Sequence, residues 1–209
     1  MESKSITDVI FIIDNSYSVL QYHEQYLKTI NSLIQIQKNV NPNSLITCIL
    51  FNEHINYVHI GKPIKDVPDI TLKQLESTGM TAFFDCVGSI LVNISMFFEK
   101  TERNSPLVVI LTDGVDTCSK RLNIKHVAFQ IAKTKLEGWK FIYFGCTEES
   151  VKVGKLIGCN VNAFYNTTEQ SFKNIPLLLS QIQQENIARD ADFDIRQLEN
   201  SMATMSVDE

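Results

Sequence analysis

Glycine is scarce in this chain, with 8 among 209 residues, and none of the glycine-built phosphate loops is present. There is no G-x-G-x-x-G, no Walker-type glycine loop and no G-x-S-x-G elbow. These absences remove the usual signatures of dinucleotide binding, nucleotide hydrolysis and serine hydrolysis. Cysteine is also thinly spread. Cys48, Cys86, Cys118, Cys146 and Cys159 are an odd number with wide gaps and no C-x-x-C, which speaks against a disulfide framework. Most lie in apolar patterns, as free buried thiols do in a reducing compartment. Like charges form no block: 19 basic residues face 24 acidic ones, for a net charge of -5. A nucleic acid held on a basic surface is therefore not expected. No apolar run approaches the ~20 residues that span a bilayer. The start, "MESKSITDVIFIID", enters a strand pattern almost at once, leaving no space for a signal peptide. The expectation is a soluble cytoplasmic protein with no membrane partner.

What is present is an ordinary globular composition, 44% hydrophobic and 21% charged, enough for a full core. Short apolar runs alternate with longer segments of helical period. Residues 8–13 and 107–112 are almost wholly apolar, as central strands covered on both faces should be. Residues 45–51 and 140–145 read alike, with 160–165 a weaker strand. Residues 55–60 alternate apolar with polar and read as the second arm of a hairpin at a sheet edge. Helical spacing covers 18–38, 71–77, 82–99, 122–137, 148–157 and 171–187, with Pro176 set to kink or delay the last. This alternation predicts an α/β fold, Rossmann-like and doubly wound around a mostly parallel sheet. One domain over 1–187 and a tail over 188–209 follow from the fall in apolar density. Asp190, Asp192 and Asp194 in the tail mimic a calcium loop, but Ile195 stands where that loop needs glycine.

In a doubly wound sheet, the carboxyl ends of the central strands line one crevice. Asp14, Ser16 and Ser18 follow the first strand in "FIIDNSYSVL"; Asp113 follows the strand at 107–112; Thr81 precedes the helix at 82. Each piece alone has an ordinary reading. Asp-x-Ser-x-Ser and Thr81 suit helix caps, and "TDG" suits a turn. Together they supply two carboxylates and three hydroxyls, an all-oxygen set suited to Mg²⁺ or Mn²⁺, with Ca²⁺ a further candidate.

"DNSYS", "TGMTAFFD" and "ILTDGVDT" resemble the three parts of the metal-ion-dependent adhesion site of von Willebrand factor A domains. The resemblance runs over roughly residues 6 to 187. It implies a six-stranded sheet with an antiparallel hairpin strand at one edge. It also implies that Asp14, Ser16, Ser18, Thr81 and Asp113 surround the cation, whose last position takes an acidic side chain of a partner protein. If helices begin near Ser18 and Thr81, their positive ends favour that added anion. The chain departs from the family at Tyr17, where glycine is frequent, and at Phe83 and Phe84, which follow Thr81 where a smaller residue often stands. Asp85 and Asp116 resemble acidic positions beside the family's site, and read either as acceptors behind the ligands or as helix-start and turn residues.

The competing class is a metal-dependent phosphatase or hydrolase on a similar sheet. Haloacid dehalogenase phosphotransferases use Asp-x-Asp after the first strand, whereas Ser16 here removes the proton-transferring acid. His23, His54, His59 and His126 lie outside all three motifs. A third class is a scaffold that keeps the fold without an ion.

Overall fold

Seven consecutive residues, Asp8–Asp14, form β1, and every one is buried. A β-branched run with both faces covered belongs at the centre of a parallel sheet. The same holds for β4, Leu107–Thr112, buried throughout. The other strands are β2 (Leu45–Phe51), β3 (Ile55–Pro63), β5 (Lys140–Gly145) and β6 (Asn160–Ala163). The computed structural model describes residues 8–40, 42–101, 106–113 and 115–163, all of which belong to one compact unit. The segment at 171–187 with Pro176, the tail at 188–209 and the proposed boundary between them lie outside the described residues.

The sheet order is β3-β2-β1-β4-β5-β6. Five strands run parallel, and β3 joins them antiparallel to β2 with register shifts around Cys48. The half-exposed β3 is thus the edge arm that its alternation predicts. The chain leaves β1 toward β2 on one side and returns at β4 on the other. The direction of winding therefore reverses between β1 and β4, and this reversal opens a crevice beyond their carboxyl ends.

Among the described residues, four α-helices flank the sheet: α1 (His23–Val40), α2 (Phe83–Thr101), α3 (Ile124–Leu136) and α4 (Glu148–Leu156). Phe83, Val87, Ile90, Leu91 and Ile94 recur at helical spacing on α2. They join Ile10, Ile12, Val108, Ile110, Phe141 and Tyr143 in one buried cluster. The alternate β1 residues Val9, Phe11 and Ile13 are buried as well, so both faces of the strand are covered.

Two helix expectations need correction. The segment at 18–38 opens as a 3₁₀ turn over Tyr17–Tyr22 before α1 begins. The helix expected over 71–77 is only a four-residue 3₁₀ turn, Leu72–Leu75. Beyond it, Glu76 is extended, and the amide of Thr78 bonds to the Asn15 carbonyl. Backbone groups that a helix would have used internally are taken by the loop after β1.

Candidate metal centre

Asp14 ends β1, and Asp113 directly follows the last residue of β4. The two neighbouring strands thus deliver both carboxylates to the crevice between them. Asp14 is almost fully buried. Its Oδ1 accepts the Ser16 amide at 2.9 Å, and its Oδ2 accepts the Thr112 hydroxyl at 2.6 Å. Burial pushes its pKa up to about 6 against these two bonds, and the charge of Asp113 adds to the rise. Asp113 is buried too, and burial raises its pKa against the Ser18 hydroxyl and the Val115 amide.

The hydroxyls of Ser16 and Ser18 lie 3.1 Å apart, with Ser16 buried and Ser18 exposed. The capping explanation for this motif fails on one observation. Ser16 occupies the position before the 3₁₀ turn, yet its side chain makes no capping bond. Thr81 is not a cap either, since α2 starts at Phe83 and Ala82 intervenes. Among the described residues no hydrogen bond to the Thr81 hydroxyl is present. The segment before Thr81 is tied to the first motif by Tyr17 N–H to the Gly79 carbonyl, 3.0 Å. It is tied to the third by the Thr117 and Cys118 amides, which donate to the Thr81 carbonyl. The three sequence motifs are therefore linked by hydrogen bonds at one end of the sheet.

Four buried side-chain polar atoms lack a hydrogen-bond partner among the described residues, those of Thr29, His59, Tyr143 and Asp113, and only the last, Oδ1, is a carboxylate oxygen. An unpartnered buried carboxylate oxygen is expensive, and it stands beside a second buried carboxylate whose ionisation desolvation disfavours. Two carboxylates and three hydroxyls fit a hard divalent cation in ligand type and in charge. Among the described residues no cluster of three or more His, Cys, Asp or Glu is suited to a metal. Any cation in this crevice would draw on hydroxyls as well as acids.

Of the two helix starts expected near Ser18 and Thr81, α2 begins at Phe83, two residues past Thr81, whereas α1 proper begins at His23, beyond the 3₁₀ turn. Asp85 and Asp116 resolve into loop fasteners. Asp85 accepts the amides of Lys120, Arg121 and Leu122, at 2.9, 3.0 and 2.6 Å. Burial raises its pKa, but these bonds and Arg121 outweigh burial and leave it lowered. Asp116 accepts the Phe84 amide and both the amide and hydroxyl of Ser119. Phe83 is core, packed edge-on to Phe51 and Tyr143. Tyr17 is 68% exposed, and Met80 and Val115 are exposed beside Thr81 and Asp113.

Sequence reasoning passed over Thr112, Thr117 and Thr147, whose hydroxyls fasten the loops; Thr147 donates to the Asp113 carbonyl at 3.1 Å. The first two stand inside the quoted third motif, but a threonine has no signal of its own there. It also missed a network behind the first loop: His23 Nε2 pairs with the Ser77 hydroxyl, which donates to Asn15 Oδ1 at 3.2 Å. His126 serves in the start of α3, bonded to Asn123.

No family model matches the sequence, and no curated protein matches it. Solved structures do match in shape. The ArnB paralog VWA2 from Sulfolobus acidocaldarius aligns at a TM-score of 0.54 and 16% identity, over 84% of this chain and 44% of that one. The chain has the von Willebrand factor A fold. Manganese-loaded TRAP from Plasmodium vivax shares it at a TM-score of 0.59 and 14% identity, over 83% of this chain and 73% of its own. Proximal thread matrix protein 1 from the mussel byssus, with a zinc-occupied MIDAS motif, shares it at 0.55 and 17%, over 87% and 48%. At these identities the likeness to von Willebrand factor A domains is one of fold.

Proposed function

We propose that this chain is a protein-binding module whose capture of a partner depends on a divalent cation, with Asp14, Ser16, Ser18, Thr81 and Asp113 as the residues that hold the ion. The observation that carries this reading is the buried, unpartnered Asp113 Oδ1 beside Asp14. A cation bound there supplies an open coordination position for an oxygen anion. Asp14 and Asp113 balance its charge, so an incoming Asp or Glu side chain of the partner meets no excess of negative charge. Ser16 and Ser18 contribute neutral oxygens, and the exposed Ser18 marks the side from which the partner approaches. Mg²⁺ or Mn²⁺ suits the set best, with Ca²⁺ as a further candidate. The manganese and zinc carried by two proteins of the same fold support a divalent ion in this crevice.

The non-enzymatic reading draws on Ser16 in place of a second acid. It also draws on the histidines, of which His23 and His126 are engaged with Ser77 and Asn123. A cytoplasmic setting is supported by the five free cysteines. Among the described residues no helix is long and apolar enough to cross a membrane.

Calorimetric titration with Mg²⁺ and Mn²⁺ tests the site. Binding by the wild type and its loss in Asp14→Ala are expected; a wild type that binds neither ion leaves only a scaffold. Partner retention on the immobilised chain should require Mg²⁺, vanish in EDTA and vanish in Asp14→Ala. Phosphoester turnover abolished by Asp14→Asn would instead establish the hydrolase.

A further inference from the structure

Three consecutive amides ahead of α2 are each held by a different residue. Met80 N–H donates to Glu53 Oε1 at 2.7 Å, Thr81 N–H to Thr117 Oγ1 at 2.9 Å, and Ala82 N–H to the Asn52 carbonyl at 3.0 Å. The Thr81 carbonyl is occupied as well. It accepts the Thr117 amide at 2.8 Å, the Thr117 hydroxyl at 3.2 Å and the Cys118 amide at 3.2 Å. Thr117 therefore grips both peptide groups of Thr81, one through its side chain alone and the other through side chain and backbone. What Thr81 has left to offer is its hydroxyl.

We propose that Thr117 is the positioning residue for Thr81, aiming that hydroxyl into the crevice and fixing its place relative to Asp113. The inference rests on Thr81 being a ligand, as proposed above, and adds how it is held. Ordinary helix capping does not orient Thr81, because α2 starts at Phe83. With both flanking peptide planes fixed, the remaining freedom is χ1, and a β-branched side chain is stiff about χ1. Thr117 lies four residues beyond Asp113 in the loop after β4. Its grip therefore makes the second and third motifs one mechanical unit. Groups that orient metal ligands from behind commonly change affinity ten- to a hundredfold when removed.

The test compares Thr117→Val, which keeps the shape and removes the hydroxyl, with Thr117→Ser, which keeps the hydroxyl. Thr117→Ala repeats the first comparison without the added methyl. Mn²⁺ affinity of the full chain is read by calorimetry, and exchange of the Thr81 amide is read in EDTA. Expected is an affinity about tenfold lower in Thr117→Val and Thr117→Ala, with faster Thr81 exchange and both restored in Thr117→Ser. Unchanged Mn²⁺ affinity in the valine and alanine variants overturns the positioning role. If the wild type itself binds no Mn²⁺, the ligand reading of Thr81 fails and this inference falls with it. The exchange measurement then still reports whether the grip exists: Thr81 exchange unchanged in Thr117→Val refutes the grip separately.

Discussion

Thr112, the last residue of β4, donates its hydroxyl to Asp14 Oδ2 across 2.6 Å, so the carboxylate at the end of β1 is fastened by the neighbouring strand. That bond and the Ser16 amide do not offset the burial of Asp14, whose pKa stands at about 6 against 3.8. A carboxyl raised on folding contributes stability that is present below its unfolded pKa and lost as pH climbs through the folded one. The metal-free protein should therefore lose stability from this group between about pH 4 and pH 6. Its ionisation at neutral pH opposes folding by on the order of 3 kcal/mol. Asp14→Asn should remove this component, so that without metal at pH 7 it unfolds at higher denaturant than the wild type. The same variant should lose the stabilisation that Mg²⁺ gives the wild type. Urea titrations at pH 4 and pH 7, with Mg²⁺ or EDTA, check both halves. Wild type and Asp14→Asn with the same pH dependence would refute the account.

Asp85 offers the opposite balance. Its carboxylate holds three successive amides of residues 120–122, which ties the loop after β4 to the first turn of α2. Asp85→Ala leaves those donors without their acceptor, and each hydrogen bond to a charged group is worth roughly 1.5–3 kcal/mol. Water replaces part of that at this partly open loop. A loss of about 2 kcal/mol in unfolding free energy is expected. Mn²⁺ affinity should fall far less than in Asp14→Ala, since Asp85 bonds to the loop rather than facing the crevice. Parallel denaturation and calorimetry separate the two effects; affinity loss equal to that of Asp14→Ala would make Asp85 a member of the site.

The parallel sheet and its edge arm were legible because burial on two faces writes continuous apolar runs, as in "VIFII" and "LVVIL", while a half-exposed edge writes alternation. The three motifs were legible because acids and hydroxyls cluster at strand ends, and the resemblance tied them together. Residues 71–77 misled for a physical reason. Leu72 and Leu75 have helical spacing, but the Thr71–Gln74 box closes a single turn, and the next amides bond to Asn15 and Glu53. Those partners are 27 and 63 positions away in the chain, and local periodicity carries no trace of them. The same is true of Thr117 and Thr81, whose bond spans 36 positions.

Tyr17 stands between two proposed ligands and is 68% exposed. Its backbone amide is committed to Gly79, so its position is fixed while its ring faces outward. Met80 and Val115, near Thr81 and Asp113 in the chain, are exposed apolar side chains as well. Aromatic side chains dominate interface energetics when they become buried on binding. Tyr17→Ala should leave Mn²⁺ affinity within about twofold and weaken partner capture at least about tenfold. Calorimetry and retention on the immobilised variant give the two readings; equal loss in both would assign the ring to the loop's structure instead.

Gly79 joins these loops through its conformation. Its φ of +75° lies in the left-handed region, and its carbonyl accepts the Tyr17 amide at 3.0 Å. A Cβ built there would come within 3.1 Å of Glu53 Oε1, the atom that holds the Met80 amide. Gly79→Ala thus meets two penalties: about 1–2 kcal/mol for an L-residue in this conformation, and displacement of the Glu53 carboxylate. Glu53 is exposed and has room to move, so the second penalty falls on its bond to Met80. The expected result is an unfolding free energy lower by about 1–2 kcal/mol, with an unchanged denaturant slope. Exchange at the Met80 amide should quicken alongside. Gly79→Asn, which tolerates positive φ better, should recover part of the stability but not the Met80 protection. Full stability in Gly79→Ala would mean that the turn adopts another backbone path.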